Sequence, residues 1–88
     1  METRIAVISI IVENPDSVEP LNACLHAYSE SIIGRMGIPY RAKARKVSII
    51  SVAIDAPQDT ISALSGRIGK LPGVSAKTAY SNVINHAE

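Results

Sequence analysis

Hydrophobic and polar residues fall along this chain in blocks of two periods, and the blocks predict six elements. Arg4 to Val12, RIAVISIIV, is apolar at almost every position. It is short, β-branched and closed by Glu-Asn-Pro-Asp, so it reads as a strand that is covered on both faces or lies mid-sheet. Val18, Leu21, Leu25, Tyr28 and Ile32 then recur at helical spacing with Cys24 beside them, predicting a helix over 17–30. Asn14, Asp16 and Ser17 are all candidate N-caps, Asp16 with Glu19 resembles a capping box, and Pro20 is tolerable only in a first turn. Ile32 to Pro39 is a weaker strand interrupted by Gly34 and Gly37. Val47 to Asp55 is a second strongly apolar strand. The second helix lies within Ala56 to Leu71, with Pro57 in its first turn and Ile61, Leu64, Ile68 and Leu71 turned inward. Leu-Pro-Gly-Val turns the chain into a last strand, Val74 to Tyr80, and residues 81–88 are expected to fray as a tail.

Strand, helix, strand, strand, helix, strand is the split βαβ order of an α+β, ferredoxin-like sandwich: a four-stranded antiparallel sheet with two helices on one face. That plan places strands one and three in the centre, where the most apolar blocks belong. Strands two and four take the edges, where glycine, proline and Lys77 are tolerated.

Composition narrows this picture. Eighty-eight residues make one domain, expected to span residues 1–80. With 47% hydrophobic residues but no Phe or Trp, the core must be aliphatic. A net charge of +1 gives no global field toward nucleic acid or an anionic membrane. The single cysteine, Cys24, allows no intramolecular disulfide and suits a reducing compartment. No basic leader with a cleavage site and no membrane-length apolar run is present, so a cytoplasmic protein without membrane association is expected.

Two helices cover only one face of such a sheet, yet alternation makes both faces apolar. Ile50, Val52 and Ile54 oppose Val47, Ile49, Ser51 and Ala53, while Ala6, Ile8, Ile10 and Val12 oppose Ile5, Val7 and Ile11. A spare apolar face predicts a homo-oligomer, a dimer or dimer of dimers, with the contact drawn through Ile8, Ile10, Ile49 and Ala53.

Catalytic chemistry is not written in the sequence. Cys24 and His26 are roughly 200° apart on a helix and cannot form a nucleophile–base pair. One Cys and two His offer no zinc spacing, and no HxxxH, CxxC or calcium-loop pattern occurs, so no metal site and no cofactor are expected. Gly66 and Gly69 lie in or at the end of a helix rather than before one, which reads as close packing and helix termination rather than a phosphate loop. The expectation is a non-enzyme.

The stretch Gly34 to Lys46 is the one concentrated charge, with Arg35, Arg41, Lys43, Arg45 and Lys46. Arg41, Lys43, Arg45 and Lys46 fall on the hairpin between strands two and three. A solvated turn accounts for them, and contact with an anion, nucleic acid or a partner protein is the competing reading. Arg35 alternates against Ile32 and Met36, so if those two face the helices it lies on the spare sheet face or its rim. Asn22, His26, Ser29 and Glu30 make a polar helix face, read as solvated, with His26 and Glu30 an i, i+4 pair.

The stretches IIGRMGIPYR and ISALSGRIGKLPGV, with the spacing between them, resemble the iron-only hydrogenase system regulator family, over nearly the whole chain from Ile5 to Tyr80. That resemblance implies an ACT-like variant of the ferredoxin-like fold, similar to the C-terminal domain of the nickel-responsive repressor. It also implies a ligand-sensing, oligomeric regulator, here expected to lack a DNA-binding motif of its own. ACT-like domains take small molecules near the turn after strand one. The resemblance therefore points to Asn14, Asp16 and Ser17 at a subunit interface, with Arg35 as cationic complement if oligomerisation brings it near, as a site for a small anionic ligand; capping alone also explains the first three. The competing class is an oligomerising interaction protein that binds a partner through the basic hairpin.

Overall fold

The two most apolar blocks become the two central strands. The computed structural model describes residues 2–38, 40 and 45–86. Strand β1 is Glu2–Val12; a 3-10 turn, Pro15–Ser17, leads into helix α1, Val18–Ala27; β2 is Ile32–Ile38 and β3 Ser48–Ala56; helix α2 is Gln58–Gly69 and β4 Val74–His86. The strands form one antiparallel sheet in the order β2-β3-β1-β4. This is the α+β, ferredoxin-like arrangement that the element order predicts.

One face of the sheet carries the core. Ala6, Ile8, Ile10 and Val12 of β1 and Ile50, Val52 and Ile54 of β3 are buried with Leu21, Cys24 and Leu25 of α1 and Ile61, Leu64 and Ile68 of α2. Each large aliphatic side chain buried there contributes about 1.5–3 kcal/mol. Cys24 is thus a small core residue.

Helix α1 is shorter than its periodicity predicts. Asn14 Oδ1 accepts from the Asp16 amide at 3.0 Å, opening the 3-10 turn. Ser17 is buried and spends its hydroxyl on the Pro72 carbonyl, at 2.6 Å. At the other end, Ser31 N–H donates to the Tyr28 carbonyl and Ile32 N–H to that of Ser29, turning the chain into β2. The helix therefore stops before Glu30, and the helical His26–Glu30 pair does not form.

Residues 81–86 of the expected fraying tail are instead sheet. β4 runs to His86, pairing Arg4 with Ile84, Thr3 with Asn85 and Glu2 with His86. β1 also begins earlier than expected, so its first residues offer backbone partners to the tail. An irregularity hides this from the sequence: Ala6 faces Tyr80 but Arg4 faces Ile84, leaving extra residues on β4 and breaking the alternation. Arg4 bridges the break, donating from Nε to the Ser81 carbonyl and from Nη1 to Gln58 Oε1, both at 2.8 Å.

The glycines in α2 are not there for close packing. A methyl group at Gly66 or Gly69 would meet nothing within 4 Å. Gly66→Ala is therefore expected to stabilise the fold by about 0.5–1 kcal/mol, since glycine in a helix only adds backbone entropy to the unfolded chain. Urea unfolding would measure it; a loss of stability would mean that this helix surface is covered by something else.

Candidate functional site

The sheet face away from the helices is open and largely apolar, with Ser9, Ser51 and Lys77 in register across its middle. Ile5, Val7 and Ile11 of β1 and Met36 and Ile38 of β2 are all at least 37% exposed. Register places Ile11 opposite Ile49, Val7 opposite Ala53 and Met36 opposite Ser51. A dent of about 290 Å³ lies among Val7, Met36, Ser51 and Ala53, where Gly34 contributes no side chain. Two of the expected contact residues, Ile49 and Ala53, do belong to this face. The other two do not: Ile8 and Ile10 are 0% and 1% exposed, beneath the helices. Their register partners decide this, because Ile8 faces Val52 and Ile10 faces Ile50, both core residues, and directly paired residues share a face.

Arg35 is also on the side opposite to the one alternation suggests. Ile32 pairs with Ile54, but Gly34 pairs with Ala53, so Ile33 is an extra residue in β2. One inserted residue inverts the phase of everything after it. Ile32 faces the core, Met36 faces the open side, and Arg35, opposite Val52, projects on the helix side. There its Nη2 donates to Asn22 Oδ1 of α1 at 3.2 Å.

That contact spans a crevice. β2 is exposed along almost all its length, and α2 packs instead against β4, β1 and β3. Between α1 and β2 lies a depression of about 390 Å³ lined by Asn22, Leu25, His26, Ser29, Ile32 and Arg35. It adjoins a second depression, about 470 Å³, that runs past Gly37, Tyr40 and Val47. The polar face of α1, readable as merely wet, thus becomes one wall of a cleft. The spacing of Asn22, His26 and Ser29 was visible in the sequence; the bulge that turns Arg35 toward them was not.

Within one chain no hydrogen bond or ion pair among the described residues links the turn after β1 to Arg35. Asn14 caps the 3-10 turn, Ser17 is bonded to Pro72, and Asp16 is exposed. Glu13 is held at both ends: its N–H donates to the Gly73 carbonyl at 2.8 Å, and its carboxylate pairs with Arg45 at 2.6 Å. Of the basic hairpin, Arg45 is therefore spent in part on Glu13 and Lys46 is exposed, while Arg41 and Lys43 lie outside the described residues. Among the described residues no three His, Cys, Asp or Glu side chains come together as a metal-binding group. No helix among them is long and apolar enough to cross a membrane.

A ferredoxin-like α+β domain with one open apolar sheet face and a polar crevice beside its first helix is the class that the geometry defines. Within that class, residues 4–78 match the family model described as "TM1266-like: Iron-only hydrogenase system regulator, putative". The chain belongs to this family. It is similar to the solved structure of uncharacterized protein TM1266 from Thermotoga maritima, at 33% identity and a TM-score of 0.79 over 89% of this chain and 96% of that one. No curated protein matches it.

Proposed function

We propose that the chain is a small, non-catalytic regulatory module that senses a small molecule and works as a homo-oligomer, a dimer or a dimer of dimers, closed over the open sheet face. The observation that carries the assembly is that face: Ile5, Val7, Ile11, Met36 and Ile38 stand exposed together across two strands, although the core already holds the other side of the sheet. A soluble protein rarely leaves so many large aliphatic side chains on one face in water without a partner, and a second copy presents the same surface. The family description supports the regulatory reading. In the competing reading, in which the basic hairpin binds a partner protein or nucleic acid, one of its cations, Arg45, is already paired with Glu13.

Light scattering at micromolar concentration is expected to give a multiple of the 9.4 kDa chain mass. Ile49→Glu should return the mass to that of one chain, since assembly would bury an unpaired charge. A wild-type monomer at high concentration would remove the assembly from this reading.

A further inference from the structure

We propose that the crevice between α1 and β2 binds a small monocarboxylate with a branched aliphatic body, whose carboxylate is held by Arg35. This rests on the ligand-sensing reading above, but it concerns the helix side of the sheet rather than the face assigned to assembly.

Arg35 differs from the other described arginines. Arg45 is paired with Glu13. Arg4 is tied to Ser81 and Gln58 and lies over the Tyr80 ring. Arg67 lies over the Tyr28 ring, and a hydrogen bond with Tyr28 raises its pKa. Arg35 has only the neutral Asn22 amide, and among the described residues no carboxylate pairs with it. One of its five donors is engaged, which fixes the fork while leaving the rest for a ligand. A planar guanidinium matches a carboxylate with two parallel hydrogen bonds.

The lining selects the remainder of the ligand. Leu25 and Ile32 supply apolar wall, and His26 and Ser29 supply polar groups across from Arg35. Among the described residues no acidic side chain lines the crevice, so the ammonium of a zwitterion would find no counter-charge there. A compact polyanion would leave the aliphatic surface wet and, among the described lining residues, would meet one arginine where it needs several cations. A single carboxylate on a branched hydrocarbon satisfies both the guanidinium and the wall. The volume, about 390 Å³, is of small-molecule size.

Amide NMR titration with isocaproate tests this, with isocaproamide and leucine as the neutral and zwitterionic controls. Isocaproate is expected to shift the amides of Asn22, His26, Ser29 and Arg35 saturably, and to bind at least about tenfold more tightly than either control, because the amide offers Arg35 no charge and leucine brings an ammonium without a counter-charge. Arg35→Ala should weaken binding about tenfold or more, the usual loss for a charged hydrogen bond. Arg35→Lys should fall between, keeping charge without the fork. Arg35 is on an exposed edge strand, so both variants should fold, and their amide spectra check that directly. Absence of saturable shifts, shifts confined to other residues, equal binding of isocaproamide, or unchanged affinity in Arg35→Ala would each overturn the proposal. The same titration on Ile49→Glu separates the two readings: a variant that stays assembled removes the sheet-face assembly alone, and a failed titration of an assembled wild type removes the crevice alone.

Discussion

Ile8→Glu is expected to abolish the cooperative unfolding transition, while Ile49→Glu, on the neighbouring central strand and the opposite face, keeps it. Ile8 is 0% exposed and packs within the aliphatic cluster under both helices. The substitution loses the isoleucine packing, about 2–5 kcal/mol. It also buries a carboxyl group with no partner, at a further several kcal/mol. A chain of 88 residues has about 4–13 kcal/mol of stability in total, so the sum exceeds or consumes what is there. Ile49 is half-buried on the open face, where a glutamate can reach water in a single chain. Circular dichroism during urea unfolding distinguishes the two. A cooperative transition in Ile8→Glu close to that of wild type would show that the assignment of sheet faces is inverted, and it would return Ile8 to the contact surface that alternation alone allowed.

Gly73→Ala should cost about 2–4 kcal/mol, the second-largest effect expected of a single substitution here. Two causes add. Gly73 has φ of 69°, the left-handed region where an L side chain costs about 1–2 kcal/mol. Its missing side chain is also filled by a neighbour: a methyl carbon would lie 2.6 Å from the Asn14 Cβ and 3.0 Å from the Asn14 nitrogen. Because Glu13 N–H bonds the Gly73 carbonyl and Ser17 bonds that of Pro72, relief of the clash must pull apart the junction between the two βα halves. Amide shifts over 13–17 should accompany the loss in stability. Stability equal to that of wild type would mean that the two turns do not dock. The opposite sign expected for Gly66→Ala makes the comparison internal: both glycines punctuate one short stretch, but one stands in open space and the other against a neighbouring turn.

Element order, strand order and the two central strands were legible in the sequence because each follows from local periodicity and from which blocks are most apolar. Cys24 and the inward stripes of both helices were legible for the same reason. The sequence reading failed where one strand inserts residues relative to its neighbour. The extra Ile33 reverses the faces of Arg35 and Met36, and the irregularity opposite Arg4 and Ala6 turns a presumed tail into paired sheet. Alternation within a strand says which residues share a face; it does not say which face meets the helices, and Ile8 and Ile10 were misplaced for that reason. Register is a relation between strands and is set by packing and pairing across them. The sequence by itself therefore determined the fold, the family resemblance and an apolar surplus too large for one core. Only the tertiary structure decided which isoleucines stay exposed, and only it brought Arg35 to Asn22 across the crevice, because both outcomes turn on backbone hydrogen bonds between residues far apart in the chain.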